Sequence, residues 1–186
     1  MPALTPWKLA VTGGVGIVAG VALVSVDWTL AELAAFAGLA LVARGALHLV
    51  TSASFGGLAG AFAVLEVAGD VGVGITAIAW RDPTLLSLAV LVGSWAILHA
   101  IAGGTIAVTT PTEHPPWPLS LIVAMVAVVL GVILIARPGD SVRGVAVIIG
   151  LLALLEGTRE VAEAAFRHRR DRRVRQATHA QSAAPV

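Results

Sequence analysis

Between Trp117 and Ala136 the chain runs for 20 residues with Ser120 as its only conventional polar side chain. A helix needs roughly 20 mostly apolar residues to cross a bilayer, and no comparable run suits the surface of a water-soluble domain. Five further stretches have similar length and character, at about 6–26, 29–51, 57–80, 83–108 and 141–164. Only 12% of the residues are charged and mean hydropathy is +0.92, against about 25% charge in an ordinary soluble domain. The predicted fold is therefore all-α, a polytopic membrane protein of six transmembrane helices.

Boundary chemistry agrees with these limits. Thr5-Pro6 and Asp82-Pro83 each place a capping residue before a proline suited to a first helical turn, and Thr29 with Glu32 has the spacing of a capping box. Pro111, Pro115, Pro116 and Pro118 punctuate the longest connection. Trp7, Trp28, Trp80 and Trp117 fall near span ends, where indoles favour the membrane interface. Trp95 is predicted to pack inside the fourth span. The stretch after Lys8 imitates a signal peptide but leads into further spans, and reads as a retained first helix.

The spans form three hairpins with an internal repeat. A glycine late in each first helix is matched by one in the second, giving Gly20 and Gly38, Gly74 and Gly93, Gly131 and Gly150. Gly45, Ala100 and Gly157 each lie seven residues beyond the second glycine. Small residues at such places let helices approach closely, and Gly16 with Gly20, like Gly56 with Gly60, forms a GxxxG surface for packing within or between subunits. The repeats run over about 6–51, 57–108 and 117–166, within a transmembrane domain of 1–166. Three hairpins permit a pseudo-threefold arrangement without requiring it.

Residues 167–175, "RHRRDRRVR", hold six of the twelve Lys and Arg side chains. Basic residues stay on the cytoplasmic side, so both termini are expected there, in a bacterial cytoplasmic membrane. Arg81, Arg137 and Arg143 then fall in outer connections. Arg167, Arg169, Arg170, Arg172, Arg173 and Arg175 are expected to contact anionic lipid head groups rather than nucleic acid. The end of the tail, 176–186, reads as disordered.

"LGVILIARPGDSVRGVAVIIGLLALLEGTREV" (130–161) and "WRDPTLLSLAVLVGSWAILHAI" (80–101) resemble the repeat of HdeD-like acid-resistance membrane proteins. The likeness covers most of 6–166. It departs in the first hairpin, where "VSVDWT" carries Asp27 in place of a proline, and in two extra residues of the second outer loop. The resemblance implies a cytoplasmic-membrane protein linked to acid or envelope stress, with no catalytic residues to carry over.

Arg44, His99 and Glu156 each stand six residues after the second glycine of a repeat. At 1.5 Å per residue each lies about 23 Å below the outer interface of a core about 30 Å thick. Glu66 falls at about the same depth, and Asp70 lies one turn nearer the midplane. A charge at helix centre costs about 2.5–3.5 kcal/mol on insertion scales, so these groups should face partners or a cavity. An Arg44–Glu66 pair is the first expectation, with Asp70 deepest and without a basic partner at its level.

Two readings of this layer stay open. It can be interhelical glue, with Arg44 also able to snorkel. Alternatively it is a proton or ion pathway through Glu66, Asp70, Glu156 and a histidine that ordinarily titrates near neutral pH. Glu156, Glu160 and Glu163 share one stripe with Arg159 and Arg167 nearby, and read as a helix emerging into the cytoplasm with intrahelical pairs. The chain has no cysteine, and neither HExxH nor the ExxH of di-iron bundles occurs. No cofactor, metal or catalytic group is expected, "GVGIVAG" (14–20) sits inside a span where no phosphate loop can form, and a homo-oligomer is compatible with the small-residue faces.

Overall fold

The structure, a computed structural model, describes residues 6–52, 57–109, 117–138 and 141–182. Six α-helices follow one another: α1 Pro6–Ser25, α2 Leu30–Ser52, α3 Gly57–Ala79, α4 Leu85–Thr109, α5 Trp117–Ala136 and α6 Val142–Ser182. No strand occurs among the described residues. By length and composition, α1, α2, α4 and α5 are each able to cross a membrane. The protein is an all-α membrane protein.

Its surface is inside-out relative to a soluble domain. Val18, Val64 and Val50 are 70%, 69% and 65% exposed, whereas Asp70, His99, Glu160 and Glu163 are buried. Lipid is the solvent that makes such a surface stable.

The same cap opens the second helix of every hairpin. Glu32 N–H donates to Thr29 Oγ1 (3.3 Å) while Thr29 N–H donates to Glu32 Oε2 (2.9 Å), completing the expected capping box. Thr84 and Ser87 exchange equivalent bonds of 2.9 and 3.1 Å, so α4 starts at Leu85 behind a Thr84 cap and not at Pro83. Ser141 Oγ accepts from Gly144 N–H at 3.3 Å ahead of α6. Thr29, Thr84 and Ser141 all lie nine residues before the second glycine of their repeat.

The glycines meet, but between hairpins and not within them. A Cβ on Gly38 would lie 2.6 Å from the Gly74 carbonyl oxygen, and the reverse distance is also 2.6 Å. Gly93 and Gly131 face each other with 2.9 Å both ways, and Gly20 and Gly150 with 2.8 and 2.9 Å. The most extensive interfaces are accordingly α1 with α6, α2 with α3, and α4 with α5. The helices of one hairpin touch more thinly, so the expected partners were right residues in the wrong pairs. Because α1 closes against α6, the three hairpins form a ring. Gly16 also faces α6, beside Gly157, which makes the first GxxxG surface an internal one. Gly56 lies outside the described residues, as do Pro111, Pro115 and Pro116.

Within the ring α2, α4 and α6 surround the axis. Leu33, Leu88 and Val145, each five residues before a second glycine, are at most 2% exposed and share one apolar cluster. Ala34, Ala89 and Ala146 occupy the next position, and Leu23, Ala77 and Leu134 enter from α1, α3 and α5. This apolar plug fills the axis at the end where α2, α4 and α6 begin.

Two boundaries differ from expectation. Pro118 lies in the first turn of α5, where its missing N–H is harmless, and not in the connection. α6 is 41 residues long, about 61 Å at 1.5 Å per residue, or twice the thickness of a bilayer core. It stays helical through 176–182, where disorder was expected; 183–186 lie outside the described residues. Arg143 reaches Asp27, tying the α1–α2 connection to α6.

Candidate functional site

Below the plug the repeat position held by Arg44, His99 and Glu156 comes together as a triangle. Arg44 Nη2 lies 3.0 Å from His99 Nε2, His99 Nε2 lies 3.6 Å from Glu156 Oε2, and Arg44 Nη2 lies 3.9 Å from the same carboxylate oxygen. One helix of each hairpin contributes one corner.

Helix α3 supplies the next shell. Its register against α2, set by the Gly38–Gly74 contact, puts Arg44 opposite Asp70 and His48 opposite Glu66. Asp70 is fully buried and accepts from Trp95 Nε1 at 2.9 Å, with Arg44 Nε 3.8 Å from its other oxygen. Asp70 is thus not without a partner, and Trp95 does more than fill space. Glu66 stands between two imidazoles, 3.2 Å from His99 Nδ1 and 3.9 Å from His48 Nδ1. No Arg44–Glu66 pair forms. Depth along each helix placed the two at one level, but the antiparallel register is shifted by one turn.

Two glycines make this shell possible. A Cβ on Gly45 would lie 3.1 Å from the Asp70 Cβ, and a Cβ on Gly69 would overlap the Trp95 ring. The indole therefore lies directly on the α3 backbone, where its N–H reaches Asp70.

Helix α6 extends the cluster towards its own C-terminal end. Arg159 Nε donates to Glu156 (2.9 Å), Arg159 Nη1 lies 3.6 Å from Glu163, and Arg167 donates to Glu163 at 2.6 Å. These are the intrahelical pairs expected of an emerging helix. Glu160 departs from that pattern: it is 2% exposed and faces inwards, 3.2 Å from His48 Nε2 and 3.5 Å from Arg44 Nη2. The sequence reading missed His48, Trp95, Arg159, Glu160 and Glu163 as members of the site. Helical spacing was an available signal, since His48 is one turn from Arg44 and Glu160 one turn from Glu156.

Two stretches, residues 68–127 and 122–180, match the family model described as a short repeat of unknown function (DUF308), and together they span more than half of the chain. The chain belongs to this family. No curated protein and no solved structure matches it. The first DUF308 match carries Asp70, Trp95 and His99, and the second carries Glu156, Glu160 and Glu163. Arg44 and His48 come from the hairpin that precedes both, which has the same cap, glycine and polar positions as the DUF308 units. The site exists only where the units meet.

In all, the cluster gathers the carboxylates of Glu66, Asp70, Glu156, Glu160 and Glu163, the guanidiniums of Arg44, Arg159 and Arg167, and the imidazoles of His48 and His99. Among these described residues, with neutral imidazoles the carboxylates exceed the guanidiniums by two, and protonating both imidazoles would equalise the count. Arg44 has donors only, so its 3.0 Å contact requires His99 Nε2 to accept. The His99 proton then sits on Nδ1, facing Glu66 off the line of a hydrogen bond.

Proposed function

We propose that this chain is a non-enzymatic protein of the bacterial cytoplasmic membrane, of the HdeD-like acid-stress type, and that its triangle of unlike side chains responds to protons. The observation that carries this reading is the single imidazole nitrogen shared by two partners. His99 Nε2 accepts from Arg44 at 3.0 Å and has Glu156 Oε2 at 3.6 Å. Once protonated, Nε2 becomes a donor, repels the guanidinium and turns to Glu156. Arg44 is released towards Glu160 and Asp70, at 3.5 and 3.8 Å. Every corner of the triangle belongs to a different hairpin, so one proton changes the contacts among all three.

The apolar plug of Leu33, Leu88 and Val145 supports a responsive element over an open channel, because it closes the axis outside the polar layer. Both termini lie in the cytoplasm on this reading. The basic face of the α6 extension then meets anionic lipid head groups, worth about 1 kcal/mol per basic residue near the surface.

Trp95 supplies the test. Its ring centroid is 5.9 Å from that of His99, close enough for an imidazolium to quench indole emission. In lipid nanodiscs, lowering the pH from about 7.5 to about 5, across the usual histidine range, should reduce tryptophan fluorescence in the wild type. The decrease should vanish in His99→Gln and in Trp95→Phe. An unchanged decrease in His99→Gln would overturn the reading.

A further inference from the structure

Between the plug and the triangle lies a cavity of about 100 Å³. Its upper walls are apolar, including Leu23, Val92 and Ile149, and its floor is Arg44, His99, Glu156 and Glu160. Val15, Ala19 and Ala40 line this cavity and also a groove on the lipid-facing side between α1 and α2. That seam is one of the thin interfaces of the ring. Cavity and groove are therefore back to back, with these shared side chains forming the wall between them.

We infer that this cavity binds a membrane-soluble organic cation, an amine with a short apolar chain, whose ammonium sits at Glu156 and Glu160 while its chain leaves through the α1–α2 seam. The floor sets the sign. Within the described cluster the carboxylates outnumber the guanidiniums by two, so an added ammonium improves the balance and an added carboxylate worsens it. The contacts of Glu156 to Arg44, His99 and Arg159 all use Oε2, and those of Glu160 to Arg44 and His48 use Oε1, which leaves each carboxylate a second oxygen for an ammonium. The volume sets the size. At roughly 30 Å³ per water-sized unit, the cavity takes a head group and the first carbons, and the groove takes the rest. Depth sets the direction: the floor lies in the inner third of the bilayer, so the ligand lies head inwards and chain towards the midplane, as an inner-leaflet amphiphile does.

This inference rests on the proton-responsive reading, because ammonium and proton answer the same excess charge and must oppose each other by linkage. The groups facing His99 are Arg44 on α2, Glu66 on α3, Trp95 on its own helix and Glu156 on α6; those facing His48 include Glu66 on α3 and Glu160 on α6. Protonated imidazoles satisfy the carboxylates that an ammonium would otherwise use.

The test is calorimetric titration of the full chain in nanodiscs with n-hexylammonium, with hexanol and hexanoate as probes of equal length, and empty nanodiscs subtracted. Hexylammonium should bind saturably and the other two should not. Its affinity should fall about tenfold, the equivalent of 1.4 kcal/mol, between about pH 7.5 and about pH 5.5. Glu156→Gln should weaken binding by a similar factor, and Ala40→Leu, which narrows the seam without touching a charge, should abolish it. Equal binding of hexanol or hexanoate, or full affinity in Ala40→Leu, would overturn the inference, as would tighter binding in acid. The acid quench of Trp95 is read without ammonium, so failure of one result is distinguishable from failure of the other.

Discussion

Arg44 and His99 hold the same place in successive repeats, and the guanidinium Nη2 of one lies 3.0 Å from the imidazole Nε2 of the other. In a symmetric assembly of identical units that place would bring three like groups together. Three different residues turn the conflict into a bonded set. The repeat supplies the scaffold, and divergence at one position supplies the chemistry.

Removing one corner should cost more than any single bond is worth. Arg44→Gln leaves Asp70 and Glu160 buried with little compensation, a loss of about 3–5 kcal/mol for a broken buried pair. Adding Asp70→Asn should restore part of it, so the double variant is more stable than the sum of the singles implies. Thermal unfolding in detergent of the four proteins measures this coupling. Strict additivity would mean that the 3.8 Å approach of Arg44 to Asp70 carries no energy.

Ring closure depends on the first and last helices. Gly150→Val puts side-chain carbons where a Cβ alone would lie 2.9 Å from the Gly20 carbonyl oxygen. It should lower stability by about 1–3 kcal/mol through overpacking. Gly14→Ala, also on α1 but with open space where its Cβ would stand, should be neutral. Melting temperatures of the two variants compare these outcomes directly.

Gly69→Ala should lift Trp95 off the α3 backbone and break its bond to Asp70. An unsatisfied buried acceptor costs about 1–3 kcal/mol. The displaced indole should also lose its acid quench, because it leaves His99. Fluorescence and thermal denaturation on one sample report both effects.

The helices and their caps were legible in the sequence because they are local. Apolar runs of bilayer length and Thr or Ser at a fixed offset from a glycine need no knowledge of neighbours. The level of Arg44, His99 and Glu156 was legible too, since three ionisable residues at one repeat position point to one level in a repeated structure, but their mutual contacts were not, the expected pair having been Arg44 with Glu66. Partner choice was not. Whether Gly38 meets Gly20 or Gly74 depends on which faces turn inwards once three hairpins close. The Arg44–Asp70 and His48–Glu66 alignments follow from that register alone. Glu160 was hidden for another reason: its stripe on α6 also carries the pairs of an ordinary exposed helix end, and its contacts to His48 and Arg44 on α2 are what set it apart.

The plug should be the barrier across the axis. Proteoliposomes of the wild type should hold an imposed pH gradient, whereas Leu33→Ala with Leu88→Ala and Val145→Ala should raise proton leak by roughly tenfold, as expected when an apolar constriction is opened to water. A leak of the same size in the wild type would place the barrier elsewhere.

Proton-dependent exchange of partners at His99 is read most directly from a nitrogen–nitrogen correlation between the Arg44 guanidinium and the His99 imidazole, by solid-state magnetic resonance of the labelled protein in lipid bilayers. At neutral pH the two should be in contact at about hydrogen-bond distance with Nε2 unprotonated. On acidification that contact should disappear as Nε2 gains a proton and a contact to Glu156. Absence of the Arg44–His99 correlation at neutral pH, or its persistence with a doubly protonated imidazole, would show that His99 does not exchange Arg44 for Glu156 on protonation.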